Sequence, residues 1–273
     1  MPTSPPASFV MHRNGQPATL QDLTPLAFAG YAHFTAMQVR DGRVRGLDLH
    51  LARLRAASIE MYGQALPDQQ IVMALRAAIQ AGPADVSLMA TVYSPAGEFT
   101  VAGPEVQPEM LVRTGPPATG PDGPLALAAI PHERMLPSVK HVGEVAKTYL
   151  LRAAAAQGFD DAAFVDRQGR LSEASIWNLA FWDGEAVVWP DAAMLTGTTM
   201  GIVRRQLDRM GVPQRVQAVT LESLRNLRGA VVMNSWTPGV AVHRIGAAAL
   251  PAAPRFMELL HAAYGAETPV SPW

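Results

Sequence analysis

The sequence predicts a mixed α/β chain of two domains. Runs with strand character alternate with runs of helical periodicity along its length. A stretch dense in proline and glycine, residues 114–124, interrupts them once and can hold neither a helix nor a central strand. With 49% hydrophobic and 16% charged residues, a 273-residue chain can bury a substantial core in each half. The expected division is an N-terminal α/β domain over residues 1–113, a linker over 114–124 and a C-terminal α/β domain over 125–273.

Each element follows from its local pattern. Residues 27–39 read as strand and end in Arg40-Asp41-Gly42-Arg43, where Asp-Gly between apolar runs signals a hairpin. From residue 47 to 62 the apolar positions Leu51, Leu54, Ala57, Ile59 and Met61 predict a helix. A second helix is expected over 68–81, and a strand pair over 85–93 and 98–101 around Ser94-Pro95-Ala96-Gly97. Beyond the linker come a strand at 125–129, a helix at 143–157 and a strand at 162–166. The turn Arg167-Gln168-Gly169-Arg170 leads to a strand through 178–182. Asp183-Gly184 then turns the chain into a strand at 185–189. A helix at 200–210, an apolar strand at 231–234 and a closing helix at 253–264 complete the order, with residues 266–273 as a loose tail.

Composition narrows the function. The net charge of −1 gives no reason to expect a nucleic-acid or acidic-membrane partner. The chain has no cysteine, which excludes disulfides, zinc–thiolate sites and thiol nucleophiles and fits a reducing, cytoplasmic setting. The N-terminus shows no secretory signal and no apolar run approaches the ~20 residues that span a bilayer. The seven histidines show no H-x-x-H or H-E-x-x-H spacing, so no metal site is expected.

The informative rarity is lysine. The chain holds two, Lys140 and Lys147, among 22 basic residues. Lys140, in Pro137-Ser138-Val139-Lys140-His141, is either a solvated amine, the usual state of lysine, or an amine that forms a Schiff base with a cofactor carbonyl, which requires burial or a nearby cation to lower its pKa. Lys147 stands in an alanine-rich amphipathic helix and reads as a surface lysine. Glu173, at the start of Glu173-Ala174-Ser175-Ile176-Trp177-Asn178, is either an exposed strand-edge carboxylate or the partner of a pyridine nitrogen, with Asn178 orienting the ring or the carboxylate. Leu195-Thr196-Gly197-Thr198-Thr199-Met200 precedes a helix. It is either an ordinary N-cap or a phosphate cup of free amides and hydroxyls. Asn234-Ser235 offers a second phosphate edge. Arg53, in His50-Leu51-Ala52-Arg53-Leu54, is either a solvated charge or a phosphate clamp. For a substrate, Tyr31, His33, Thr35 and Arg134 are the candidates. Tyr31 and His33 could equally pack a core or rim, and for Arg134 a structural ion pair is the favoured role.

Taken in order, these residues resemble the class IV (fold type IV) pyridoxal-phosphate enzymes, the family of branched-chain and D-amino-acid aminotransferases and aminodeoxychorismate lyases. The resemblance spans roughly residues 25–245. Phe34-Thr35-Ala36 with Arg40-Asp41-Gly42 looks like the family's early strand and turn, and His50-x-x-Arg53-Leu54 like its phosphate-arginine helix. Val139-Lys140-His141 looks like its Schiff-base segment, and Leu195-Thr196-Gly197-Thr198-Thr199 like its L-x-G-I-T-R loop. Glu173-x-Ser175-x-x-Asn178 is similar to the diagnostic E-x-(S/T)-x-x-N element. The spacing of Lys140 from Glu173 favours Lys140 over Lys147 as the Schiff-base lysine. The chain departs from the pattern at Met200, where arginine is usual, and at Gly143-Glu144, where asparagine is common. It departs again at Gly30-Tyr31-Ala32 in place of G-D-G, and at Tyr93–Gly97, which lacks a carboxylate-binding arginine.

The resemblance implies two α/β domains with pyridoxal 5′-phosphate (PLP) at their interface, usually in a homodimer. It assigns the cofactor and proton transfer to Lys140, and the pyridine nitrogen to Glu173. The phosphate falls to Arg53, Thr198, Thr199 and Ser235, beside Asn178 and Asn234. Three functions are then open. The first is an aminotransferase between an amino acid and a 2-keto acid. The second is a 4-amino-4-deoxychorismate lyase giving 4-aminobenzoate and pyruvate, towards which Phe34-Thr35 and Lys140-His141 lean. The third is a PLP-fold protein that binds a ligand without catalysis. The aminotransferase is the favoured expectation.

Overall fold

The computed structural model describes residues 8–27, 30–99 and 106–272. The chain divides into two compact units: residues 1–118, 139–143 and 269–273 form the first, and residues 119–138 and 144–268 the second. The lysine segment and the C-terminal residues thus return to the first unit.

The first unit opens with β1 (Met11–Arg13), β2 (Gln16–Pro17) and α1 (Leu20–Ala27). It continues through β3 (Ala32–Arg40), β4 (Arg43–Val44), α2 (Leu47–Tyr62), α3 (Asp68–Gln80), β5 (Val86–Tyr93) and β6 (Glu109–Gly115). Its sheet is antiparallel, in the order β2-β1-β6-β5-β3-β4. The hairpin at Asp41-Gly42 forms as expected: Arg40 pairs with Arg43, and both turn residues take positive φ, 52° and 67°. Met37, Val39, Leu54, Ile71, Leu75, Leu88 and Val112 build the core between sheet and helices.

Four expectations here need correction. Ala27 closes α1 and is not strand, because the helix ends there and β3 begins at Ala32. Glu98 and Phe99 lie in a turn, so β5 pairs with β6 and β3 instead; Thr100 and Val101 lie outside the described residues. Ile59 faces solvent, since the buried face of α2 is His50, Leu54, Ala57, Ser58 and Met61. The tail is held: Val270 pairs with Val44 through two backbone hydrogen bonds.

The second unit contains β7 (Leu125–Pro131), α4 (Val145–Ala156), β8 (Asp161–Val165), β9 (Leu171–Ala174), β10 (Asn178–Trp182) and β11 (Val187–Pro190). There follow α5 (Thr198–Arg209), β12 (Gln214–Gln217), β13 (Gly229–Met233), β14 (Val240–Ile245), β15 (Ala248–Ala249) and α6 (Pro254–Ala266). Because β9 pairs with both β8 and β10, the strands β10-β13-β14-β7-β8-β9 close on themselves as a barrel. Closure removes the free edges that an open sheet would expose. Leu127, Ala163, Leu171, Leu179, Phe181 and Val232 pack in one core cluster of this barrel. Trp189, Met200, Val203, Leu207 and Leu260 form another with α5 and α6.

The strand expected through 178–182 is β10, and β9 stands ahead of it as a separate strand. Ala174 N–H donates to Trp177 C=O at 2.8 Å, which turns the chain between β9 and β10 and sets Glu173 opposite Asn178. Asp161 fixes this turn. Its carboxylate accepts from Trp177 Nε1 at 2.9 Å and from the Ser175 amide at 3.3 Å. The proline-rich stretch follows the end of β6, and its residues 119–124 belong to the second unit. A Cβ on Gly120 would meet Thr237 Cγ2 at 2.8 Å, and one on Gly123 would meet Val240 Cγ1 at 2.7 Å.

Candidate active site

In the first unit, the lysine segment adds itself to the edge of β3. Phe34 N–H donates to Lys140 C=O at 2.8 Å, Val142 N–H donates to Ala32 C=O at 2.8 Å, and His33 pairs with His141. This pairing puts Lys140 Nζ 4.8 Å from the centre of the Phe34 ring. Side chains alternate across a strand, so His33 and Thr35 point to the opposite face, where both are fully buried. There His33 Nε2 hydrogen-bonds Ser58 Oγ at 2.8 Å, and Thr35 Oγ1 hydrogen-bonds His50 Nδ1 at 2.6 Å. Burial lowers the His33 pKa to about 4. It lowers that of His50 to about 3, with the Arg53 charge adding to the effect, so both rings are neutral. Tyr31 is 42% exposed and its hydroxyl donates to Met61 C=O at 2.8 Å. Arg53 is half-buried beside His50 on α2, and burial lowers its pKa to about 10, which leaves it charged at neutral pH. Of the proposed substrate residues, then, His33 and Thr35 are committed to α2 and stand on the face of β3 away from Lys140.

In the second unit, Glu173 is 4% exposed at the foot of β9. Arg134 Nη1 lies 3.3 Å and Lys147 Nζ 3.5 Å from its Oε1. Arg134 is also held by Glu144, to which its Nε donates at 2.8 Å, and by Pro137 C=O at 2.9 Å. An unpaired carboxylate at this depth would be costly, so the two cations are what allow Glu173 to stay there. Arg134 is therefore engaged in ion pairs. The loop that carries it is strained: Leu136 takes φ 49°, a conformation that costs a side-chain-bearing residue roughly 1–2 kcal/mol.

Lys147 corrects the surface assignment. Its side chain is 12% exposed, and burial lowers its pKa against the opposing pull of Glu173. The sequence held the signal: Lys147, Leu150 and Ala154 recur at helical spacing, and Leu150 and Ala154 pack on Phe164 and Ala162 of β8. The stripe that buries them carries Lys147 inward.

Next to this carboxylate stands an anion cradle. Asn178 Nδ2 donates to Leu195 C=O at 2.6 Å, which draws the loop before α5 onto β10. The approach is so close that a Cβ on Gly197 would lie 1.9 Å from Asn178 Oδ1; only glycine fits. The helix starts at Thr198, two residues earlier than expected, so Thr198 and Thr199 form its first turn. No side chain caps it, and its leading amides have no partner within the helix. Thr199 Oγ1 donates to Asn234 C=O at 2.8 Å and ties the helix to the end of β13. Asn234 Oδ1 accepts from Trp236 N–H at 2.8 Å, shaping the turn that holds half-buried Ser235. Thr198 Oγ1 and Ser175 Oγ are buried with no hydrogen-bond partner. A buried hydroxyl left unpaired costs about 1–3 kcal/mol, so this end of the barrel is built for a ligand with acceptor oxygens.

A family model described as amino-transferase class IV matches residues 32–245. The chain belongs to that family. Class IV aminotransferases are PLP-dependent enzymes, and the groups around Glu173 and Thr198 suit that cofactor: a buried carboxylate to accept from a pyridine nitrogen and a helix start with an unpaired hydroxyl for a phosphate. The fold is shared with solved structures. The branched-chain aminotransferase of Thermoproteus uzoniensis, solved with norvaline, is 16% identical at a TM-score of 0.84, over 97% of this chain and 100% of that one. A branched-chain amino acid aminotransferase from T.th., solved with pyridoxamine 5′-phosphate, is 17% identical at 0.80, over 94% and 93%. A putative 4-amino-4-deoxychorismate lyase from Legionella pneumophila is 17% identical at 0.76, over 90% and 94%. No curated protein sequence matches the chain. Among the described residues, no helix is long and apolar enough to cross a membrane, and no cluster of three or more potential ligands could hold a metal ion.

Proposed function

We propose that this class IV enzyme is an aminotransferase acting on an amino acid and a 2-keto acid, with Lys140 as the lysine that holds PLP covalently. The observation that carries the reading is Glu173, buried and clamped by two cations beside an uncapped helix start with an unpaired threonine hydroxyl. Bound PLP supplies an electron sink for the pair of electrons left when a proton leaves the substrate Cα. Lys140 would hold the cofactor covalently, and its amine Nζ would serve as the base that takes the proton from Cα. Glu173 holds a proton on the pyridine nitrogen, and Asn178 keeps the phosphate loop in register with β10. Thr198, Thr199, Ser235 and the amides of α5 bind the phosphate, with Arg53 and Asn234 supporting it.

One observation favours transamination over the lyase reaction. Thr35, which leaned towards lyase-like members, spends its hydroxyl on His50 and is fully buried. We extend the proposal to a homodimer: Val145 and Tyr149, one helical turn apart on α4, are 83% and 71% exposed and offer an apolar face. The test is an amino-donor panel with 2-oxoglutarate or pyruvate, read as new keto acid. Formation of 4-aminobenzoate and pyruvate from aminodeoxychorismate, with no transamination, would replace the aminotransferase with the lyase.

A further inference from the structure

We propose that Lys147 is a positioning residue that sets how strongly Glu173 holds a proton on the cofactor's ring nitrogen. The inference rests on the role given to Glu173 above and adds a second cation to it. Lys147 Nζ lies 3.5 Å from Glu173 Oε1 and 4.0 Å from Glu144 Oε1. Glu144 is already gripped by Arg134, through Nε at 2.8 Å and through Nη2. Glu173 is therefore the nearer and less occupied anion for the lysine. Arg134, which meets the same oxygen of Glu173, opposes the ammonium, while the Phe164 ring, 6.0 Å from Nζ, carries no charge, and His132, edge-on to Phe164 at 4.7 Å, has its pKa lowered by burial.

Two cations therefore answer one oxygen of Glu173 before any ligand arrives. Lys147 therefore sets a second positive charge beside the place given to the ring nitrogen, and that charge disfavours a protonated, cationic ring there. The nitrogen's proton is held less tightly than beside Arg134 alone, and the electron sink is correspondingly moderated. Of the two side-chain types, lysine is the cation that burial can discharge. Of the pair, Lys147 is the adjustable one.

The test uses pyridoxine 5′-phosphate labelled with ¹⁵N in the ring, bound to the full-length protein. This probe lacks the aldehyde, so it reads the ring nitrogen without the covalent bond to Lys140. The ¹⁵N shift is followed against pH in wild type, Lys147→Met and Lys147→Arg. The expected result is a ring-nitrogen midpoint raised in Lys147→Met by about one pH unit, a tenfold change in proton affinity, with Lys147→Arg at the wild-type midpoint. A Lys147→Met midpoint equal to wild type overturns the proposal, as does a Lys147→Arg midpoint that moves with it, which would mark a steric effect. Should Lys147→Met fail to fold, wild type still decides. Acylation of Lys147, one of only two lysines, must slow or quicken when the probe binds; unchanged reactivity overturns the coupling. A wild type that binds no probe overturns the reading of the site itself, whereas binding with an unshifted Lys147→Met overturns only the role of Lys147.

Discussion

Replacing Glu173 with glutamine removes one charge and almost no volume from the centre of the second unit. Two cations at 3.3 and 3.5 Å then lose their shared anion in a place where the side chain is only 5% exposed. At an effective dielectric of about 20, each pair is worth about 5 kcal/mol of gross attraction. Desolvation consumes much of that, and breaking a buried pair from one side costs roughly 3–5 kcal/mol. Glutamine can still accept from Arg134, so the low end applies, about 3 kcal/mol. For a unit of this size that is a fall in melting temperature of about 6–12 °C, measured on the protein without cofactor. The phosphate cradle is on other residues, so PLP still binds. The rate of Cα proton loss, followed by deuterium washout from the substrate, falls on the order of 10²-fold with the loss of one preorganised charge. A Glu173→Gln protein that melts with wild type and exchanges deuterium at the wild-type rate would refute both the clamp and the catalytic role.

Other expectations follow from single contacts. Lys140→Ala should abolish covalent PLP attachment and turnover, while Lys147→Met retains attachment; peptide mapping after borohydride reduction reads this, and the reverse pattern would overturn the register. Gly197→Ala drives a Cβ to 1.9 Å from Asn178 Oδ1, so the loop must leave β10. Melting should report a loss of about 1–3 kcal/mol, and titration a weakened affinity for PLP. Acid should unfold the first unit early. His33 and His50 have folded pKa values of about 4 and about 3, below the unfolded 6.5. The unfolded chain therefore binds more protons between those limits, and stability drains away as pH falls below about 6.5. Urea melts at pH 7 and pH 4.5 should differ by several kcal/mol, on the order of 1.4 kcal/mol per pH unit for each histidine. A His33→Gln/His50→Asn double variant with the same pH slope as wild type would count against this.

Much of the fold was legible because strong periodicity and turn chemistry agree locally. The helix over residues 47–62 matches α2 residue for residue, and the Asp41-Gly42 hairpin forms in the expected register. What stayed hidden was set by contacts distant in sequence. The tail is held by Val44, more than two hundred residues away. The break between β9 and β10 depends on Asp161. α1 carries Pro25 in its interior, where proline is a poor helix former, so the local pattern does not announce this helix. At the site, Glu173, Asn178 and the threonine pair were readable as an ordered pattern, and the structure groups them around one end of the barrel. Lys147 was misjudged because the alanine-rich α4 buries only Ala154 fully, so its inward stripe is faint. His33 and Thr35 looked like pocket residues because a strand pattern gives alternation but not which face meets a helix.

The most direct test of the central claim is an absorbance spectrum of the purified protein with added PLP, followed by borohydride reduction and peptide mapping. A near-visible band that reduction abolishes, leaving the phosphopyridoxyl group on Lys140, is the expected result, and the band should shift when an amino acid is added. No band, or a modification that maps to Lys147 with Lys140 untouched, would contradict it.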